Sequence, residues 1–548
     1  MKKMTRRKVL ALGSGVAMAA GSSRLAFARS TSKVQVHAAG ADYVIVGAGS
    51  AGCVLANRLS AAGASVLMLE AGGLDTLPAI HDPLAWPGLQ GSSVDWQYQT
   101  IPQLHTLGRV HAWARGKVLG GSSSINAMAH HRGHPSGYDN WASYGVRGWS
   151  FKELLPYFKR LETFAGGASE YHGSEGPLYI DVPRGNLQHP TARQFIAASI
   201  ATGFAPTDDI NGAQMEGPTW NHVALKGHQR QSTAVCYLRP ALGSRNPPTV
   251  MTGAQVSALV FDGERCVGVQ YLHGGRSATV RAAREVLLTA GSIESPKLLM
   301  LSGIGAPAEL AKFGIAVRAA LPGVGKNLQD HLLGAGAVYE ASQPLPVSRY
   351  QHGEAMQYLR TDMALAAPDM LLMFVTVPFA SVTLPPPPAN AYTILPCIMQ
   401  PRSRGTISLR SSNVADAPVI NPNYFDAPID AATMTRGFEI AREIGANAAL
   451  TDWRAREVYP ADRWRDRGSR TEFVQQAANT FFHPVGTCAM GDREHAVVDS
   501  ALRVRGLKGL RVIDASVIPQ IPTAPTNAAV IGIAERAADL LLGRTQSA

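Results

Sequence analysis

Near its N-terminal end the chain carries short unbroken apolar runs punctuated by glycine, a pattern that predicts buried parallel strands joined by a helix. Val44 to Val46 is one such run, and Ser65 to Leu69 is the next. Between them Ala51 to Ala61 reads as a helix, entered through Gly47-Ala48-Gly49-Ser50-Ala51-Gly52. Further on, Trp141 to Phe164 is amphipathic and aromatic and predicts a core-forming helix with no chemistry of its own. Thr249-Val250-Met251 and Val256 to Phe261 predict strands, with Asp262-Gly263 as the turn into Val267-Gly268-Val269. Val286 to Gly291 predicts another buried strand, which delivers small residues to a helix beginning near Ser292. Two such parallel strands so far apart imply a domain assembled from discontinuous segments. Pro385 to Pro388 marks an exposed loop, and Pro401 to Leu409 leads into a strand of a second domain.

The order strand, glycine turn, helix, strand and acid predicts a bound dinucleotide. Gly47 permits the tight turn, Gly49 lets backbone approach a pyrophosphate, and Gly52 lets the helix pack closely. Ser50 and Ala51 open that helix, whose positive dipole end and free N–H groups face the phosphates. Glu70 closes the second strand and can accept from both ribose hydroxyls, which disfavours a 2′-phosphate. A second glycine cluster runs from Arg115 to Asn126. Its paired glycines can touch a flat ring or a phosphate, and its serines and Asn126 offer donors.

At 548 residues and 46% hydrophobic content, the chain is long enough for more than one core and reads as two joined domains. Residues 1–28 stand apart: Thr5-Arg6-Arg7-Lys8 precedes an apolar stretch and ends at Ala26-Phe27-Ala28, the layout of a twin-arginine export signal. Periplasmic or secreted localisation follows from it. The signal holds six Lys or Arg and no acid, so its removal takes the formal charge from +11 to +5, which is no nucleic-acid footprint. No other segment is apolar enough to span a bilayer as a helix, so the mature chain carries no integral membrane segment. Cys53, Cys236, Cys266, Cys397 and Cys488 are too scattered for a disulfide framework. His130, His131 and His134 lie in a Gly/Pro loop without a helical Glu partner, and no metal is expected.

The ordered motifs are similar to those of the glucose-methanol-choline (GMC) oxidoreductases, a family of FAD-dependent enzymes that oxidise alcohols. They stand here as Gly47 to Gly52 with Glu70, Gly116 to Ser123, Gly291 to Gly305, Gly323 to His331, His483 to Gly491, and Leu510 to Ser516. The resemblance implies a doubly wound, Rossmann-like βαβ domain for FAD and a substrate domain built on an antiparallel sheet flanked by helices. We assign residues 40–160, 225–332 and 480–548 to the first and 161–224 and 333–479 to the second. It also implies that Val256 meets the adenine through its backbone. Leu119, Gly120, Gly121, Ser122 and Asn126 line the isoalloxazine on this reading, and Asp514, Ala515 and Asn527 complete the cradle. Some relatives attach the flavin through a His beside that Asn; here the place is Ile125, so a non-covalent FAD is expected.

Alcohol oxidation needs the hydroxyl proton removed as the carbon-bound hydride moves to flavin N5. The resemblance makes His483 the general base. The family pairs this His with a second His or Asn about forty residues later, a place that falls on Pro525 here, while a two-residue slip would put Asn527 there. Proline offers no donor. A His and Pro pair resembles that of members acting on a ring-bearing aryl or heteroaryl alcohol such as pyridoxine, and Phe482 could stack on such a ring. Electrons would pass on to oxygen or to a quinone or cytochrome. The alternatives are an aliphatic-alcohol or choline-type dehydrogenase, and a flavin-containing hydroxynitrile lyase with no net redox change.

Overall fold

The computed structural model describes residues 40–545, which fall within one compact unit. The export-signal expectation lies outside the described residues. Strand β1 (Ala41–Val46) and strand β2 (Val66–Leu69) pair in parallel, Val44 opposite Leu67, and helix α1 (Ser50–Ala61) makes the crossover. Val44, Ile45 and Met68 are fully buried because the sheet is covered on both faces, which is why these runs are continuous rather than alternating.

On the outer side of β2 lies β3 (Thr249–Met251), and a meander follows it: β4 (Ala254–Asp262), β5 (Arg265–His273) and β6 (Arg276–Leu288). The seven-stranded sheet runs β3-β2-β1-β6-β5-β4, with β7 (Leu510–Val512) also paired to β6. Strand β6 changes character along its length. Its first half alternates exposed and buried residues against the antiparallel β5, whereas Val286, Leu287 and Leu288 are wholly buried between the parallel β1 and β7.

The segment Trp141 to Phe164 is not one helix. Asn140–Tyr144 is a short 3-10 turn, Gly145 and Gly148 take positive φ, and helix α2 (Phe151–Leu161) starts afresh at a capping box made by Ser150 and Glu153. The two glycines and the Ser-x-x-Glu signal outweigh the aromatic periodicity around them. The segment then runs on as a strand (Glu162–Phe164) whose Glu162 is fully buried against Arg132 and His172, so it is not chemically bland either.

The second sheet has eight strands and antiparallel pairings throughout. Its order is Arg454–Tyr459, Ala337–Ala341, Ala391–Ile398, Met370–Val375, Ala355–Leu359 and Gly217–Trp220, with Leu332–Gly334 joining Ala391–Ile398 to Ala478–Thr480. The strand expected beyond Pro401 does not join it: Thr406–Ser408 pairs with Val419–Asn421 in a separate ribbon, anchored where Ile407 N–H donates to the Gly325 carbonyl. Two further helices carry site residues, α3 (Gly291–Leu301) and α4 (Asn527–Leu541). Among the described residues no helix is long and apolar enough to cross a membrane.

Candidate active site

The first wall of the site comes directly from the βαβ unit. A cavity of about 460 Å³ opens beyond the C-terminal ends of β1 and β2, lined there by Gly47, Gly49, Ser50, Ala51 and Glu70. Gly47 takes φ +101°, and a Cβ on it would sit 2.8 Å from the Thr289 carbonyl oxygen. A Cβ on Gly121 would meet Gly49 Cα at 2.7 Å, so the two glycine clusters pack backbone against backbone. Glu70 accepts from the amides of Ala48 (2.8 Å, Oε2) and Gly72 (2.7 Å, Oε1). Each oxygen keeps a lone pair, and the carboxylate still lines the cavity, as contact with ribose hydroxyls requires.

Three helix N-termini reach the same cavity: α1 at Ser50, α3 at Gly291 and α4 at Asn527. Among the described residues no side chain caps the free amides of α1, which leaves them available to an anion. Ser50 Oγ donates to Asn527 Oδ1 at 2.7 Å and ties α1 to α4. Asp514 accepts from Gly291 N and Ser295 Oγ through one oxygen and from Ser516 N and Oγ through the other. It therefore braces α3 against the end of β7, beside the lining residue Ala515. Gly121, Ser122, Asn126 and Val256 also line the cavity.

Three of the residues expected at the cradle do not. Leu119 is buried with its carbonyl accepting from Ser124 Oγ, and Gly120 donates its N–H to the Ala48 carbonyl, so both hold the loop from behind. Gly52 faces the sheet: a Cβ there would lie 2.1 Å from the Gly47 carbonyl oxygen. These residues shape the cradle by packing and do not line the cavity.

The second wall belongs to the eight-stranded sheet. Leu371, Met373, Val375 and Leu395 line the cavity and pack with Phe481. His131 and Asn221 join them, His131 Nε2 lying 2.9 Å from Asn221 Oδ1. His130, His131 and His134 turn to different partners: His130 to Glu162, His131 to Tyr358 and Asn221, His134 to Ser136. Five buried free cysteines lie elsewhere, Cys53 among them on α1.

His483 stands where the walls meet. Its backbone is fixed by Asp330, which accepts from His483 N at 2.8 Å while also accepting from Thr480 and Tyr424. Phe482 before it takes φ +62°, a conformation a bulky residue adopts only when its surroundings impose it, and its carbonyl accepts from Arg115. Phe482 and Pro525 both line the cavity. The decisive contact is between imidazoles: His331 Nδ1 lies 2.9 Å from His483 Nδ1, and His331 Nε2 lies 3.1 Å from the Met399 carbonyl oxygen. A carbonyl can only accept, so His331 carries its proton on Nε2 and its Nδ1 is a lone pair. His483 must then donate from Nδ1, which leaves its Nε2 unprotonated. Burial holds His331 near 3 and, with the neighbouring His331 and Arg115, pushes His483 well below the ordinary imidazole value, so both rings are neutral.

A dinucleotide cradle on a doubly wound sheet, closed by a second sheet and holding a neutral imidazole with a free lone pair, defines a cofactor-dependent oxidoreductase. The chain belongs to the GMC oxidoreductases: the family's N-terminal model matches residues 41–333 and its C-terminal model residues 401–534. It is 38% identical over 536 residues to an oxygen-dependent choline dehydrogenase of Brucella anthropi, covering 92% of this chain and 96% of that one. To a pyridoxine 4-oxidase of Microbacterium luteolum it is 39% identical over 500 residues, 90% of this chain and 98% of that one. The crystal structure of pyridoxine 4-oxidase from Mesorbium loti superposes with a TM-score of 0.89 at 39% identity, covering 92% and 100% of the two chains. The protein is accordingly an FAD-dependent enzyme acting on CH–OH groups of small-molecule alcohols.

Sequence reasoning passed over His331, Asp330, His131 and Asn221 as site residues. Asp330 and His331 stood inside a quoted motif, yet nothing local says that His331 meets a ring 152 positions away.

Proposed function

We propose that the protein oxidises a ring-bearing primary alcohol to the aldehyde, with His483 Nε2 taking the hydroxyl proton. Bound FAD supplies the hydride acceptor. His331 holds His483 in the tautomer whose lone pair can face substrate, Asp330 fixes its backbone, and the apolar second wall excludes water from the reacting carbon. The observation that carries this reading is the chain from the Met399 carbonyl through His331 to His483.

The second wall supports a neutral ring as substrate. Among the described residues, the carboxylates that line the cavity, Glu70, Glu294 and Asp514, all come from the elements around the seven-stranded sheet, and the wall opposite contributes none. A quaternary ammonium would find no counter-charge there. Pro525 is the residue we place opposite His483, because Asn527 is engaged by Ser50 on the nucleotide side. Ile125 has no nucleophile, which supports a non-covalent FAD. The two sheets support the domain division given above, and electrons pass to oxygen or a quinone-type acceptor.

Anaerobic mixing of the purified flavoprotein with aryl, heteroaryl and aliphatic primary alcohols and with choline tests this. Bleaching of the visible flavin band should be fastest with a ring-bearing alcohol. Fastest bleaching by choline would refute the substrate class, and no bleaching by any alcohol would favour the lyase reading.

A further inference from the structure

Arg230 is buried to 1% exposure, yet among the described residues no carboxylate meets it. Arg132, equally buried, has Glu162 at 2.5 Å. The Arg230 guanidinium instead donates only to neutral oxygens: Nε to the Ile80 carbonyl at 2.6 Å, and Nη1 to the Ser123 carbonyl (3.3 Å), the Asn126 carbonyl (2.6 Å) and Asn126 Oδ1 (2.8 Å). Its Nη2 is buried with no partner among the described residues. Desolvation pulls the group down to about 9, so it still carries its charge at neutral pH. An unpaired buried cation is costly to desolvate and is normally neutralised.

The same contacts fix an amide. Asn126 Oδ1 receives Arg230 Nη1 and also the Met128 N–H at 3.0 Å. Both partners can only donate, so the atom facing them is the oxygen and the NH2 group is turned the other way. Asn126 lines the cavity while Arg230 lies one hydrogen bond behind it. A flavin gains electron density when it accepts a hydride, so a fixed positive charge and an aimed donor beside it favour the reduced form.

We propose that Arg230 is a positioning residue that sets the redox potential of the bound FAD, by orienting the Asn126 amide and by holding an unneutralised positive charge behind the cavity wall. The inference rests on the reading of Asn126 as part of the wall that faces the flavin ring. A residue that merely clamped the loop would affect FAD retention and leave the potential unmoved.

The test is a dye-equilibrated potential measurement on the purified holoenzyme and three variants. Arg230→Gln should lower the ratio of reduced to oxidised flavin at fixed poise at least tenfold, about 30 mV for a two-electron couple. Asn126→Asp neutralises the guanidinium without emptying its site and should shift the potential in the same direction. Arg230→Lys keeps the charge and should stay within about threefold of wild type. A wild-type potential in flavin-loaded Arg230→Gln, or a Lys variant as low as the Gln variant, overturns the proposal. If Arg230→Gln yields no folded flavoprotein, a wild-type potential in Asn126→Asp overturns it instead. Wild-type enzyme that holds FAD but is bleached by no alcohol would fail the functional reading while leaving this comparison measurable.

Discussion

The two walls of the cavity are built in different ways. The nucleotide wall consists of contiguous motifs at the starts of helices, where backbone amides and glycine contacts dominate, with Asp514 fully hydrogen-bonded and Glu70 keeping acceptor capacity on each oxygen. The opposite wall is a patchwork: one face of an antiparallel sheet supplies apolar surface, and isolated polar residues from distant segments meet at His483. The first wall is made to hold one fixed ligand, whereas the second can vary its substrate by changing single side chains.

The largest test of that contrast is a glycine on the first wall. Gly52→Val must push α1 off the sheet, since even a Cβ there would lie 2.1 Å from the Gly47 carbonyl. Purified variant should show no bound flavin by absorbance, and normal FAD content would break the packing account. Next comes the relay on the seam. His331→Leu removes the acceptor that sets the His483 tautomer and should slow flavin reduction by about 10–100-fold, the scale for losing a group that orients a functional imidazole. FAD content should stay at the wild-type level.

A smaller effect is expected from Met373→Glu, which places a carboxylate on the apolar wall. It should move the ratio of kcat/KM for choline over a ring alcohol upward by about tenfold, one close charge being worth on the order of 1–2 kcal/mol in a partly desolvated site. An unchanged ratio would show that this wall does not select the substrate. The smallest expected effect is none. Because His483 is held well below the ordinary imidazole value, it stays an unprotonated base as pH falls from 8 to 6, and flavin reduction should change by less than about twofold. A loss centred near 6.5 would mean an unshifted base.

How much of this was legible in the chain follows the same division. The βαβ unit, Glu70, the glycine loops and His483 were legible because each is announced by neighbours within a few residues. The contacts that fix the tautomer of His483 were not, since Met399, His331 and His483 converge only when strands of the second sheet pair. Leu119 and Gly120 read as contacts because a motif does not distinguish a residue that lines the cavity from one that supports it. The break at Gly145 and Gly148 was visible in the residues but outweighed by the aromatic pattern.

The central claim, that His483 Nε2 is the base, is tested most directly by rapid anaerobic mixing of flavin-loaded His483→Ala with the best alcohol found for wild type. The rate of flavin reduction should fall by about 10²–10⁴-fold, the usual range for a positioned general base, with FAD retained. Reduction at the wild-type rate would contradict the account.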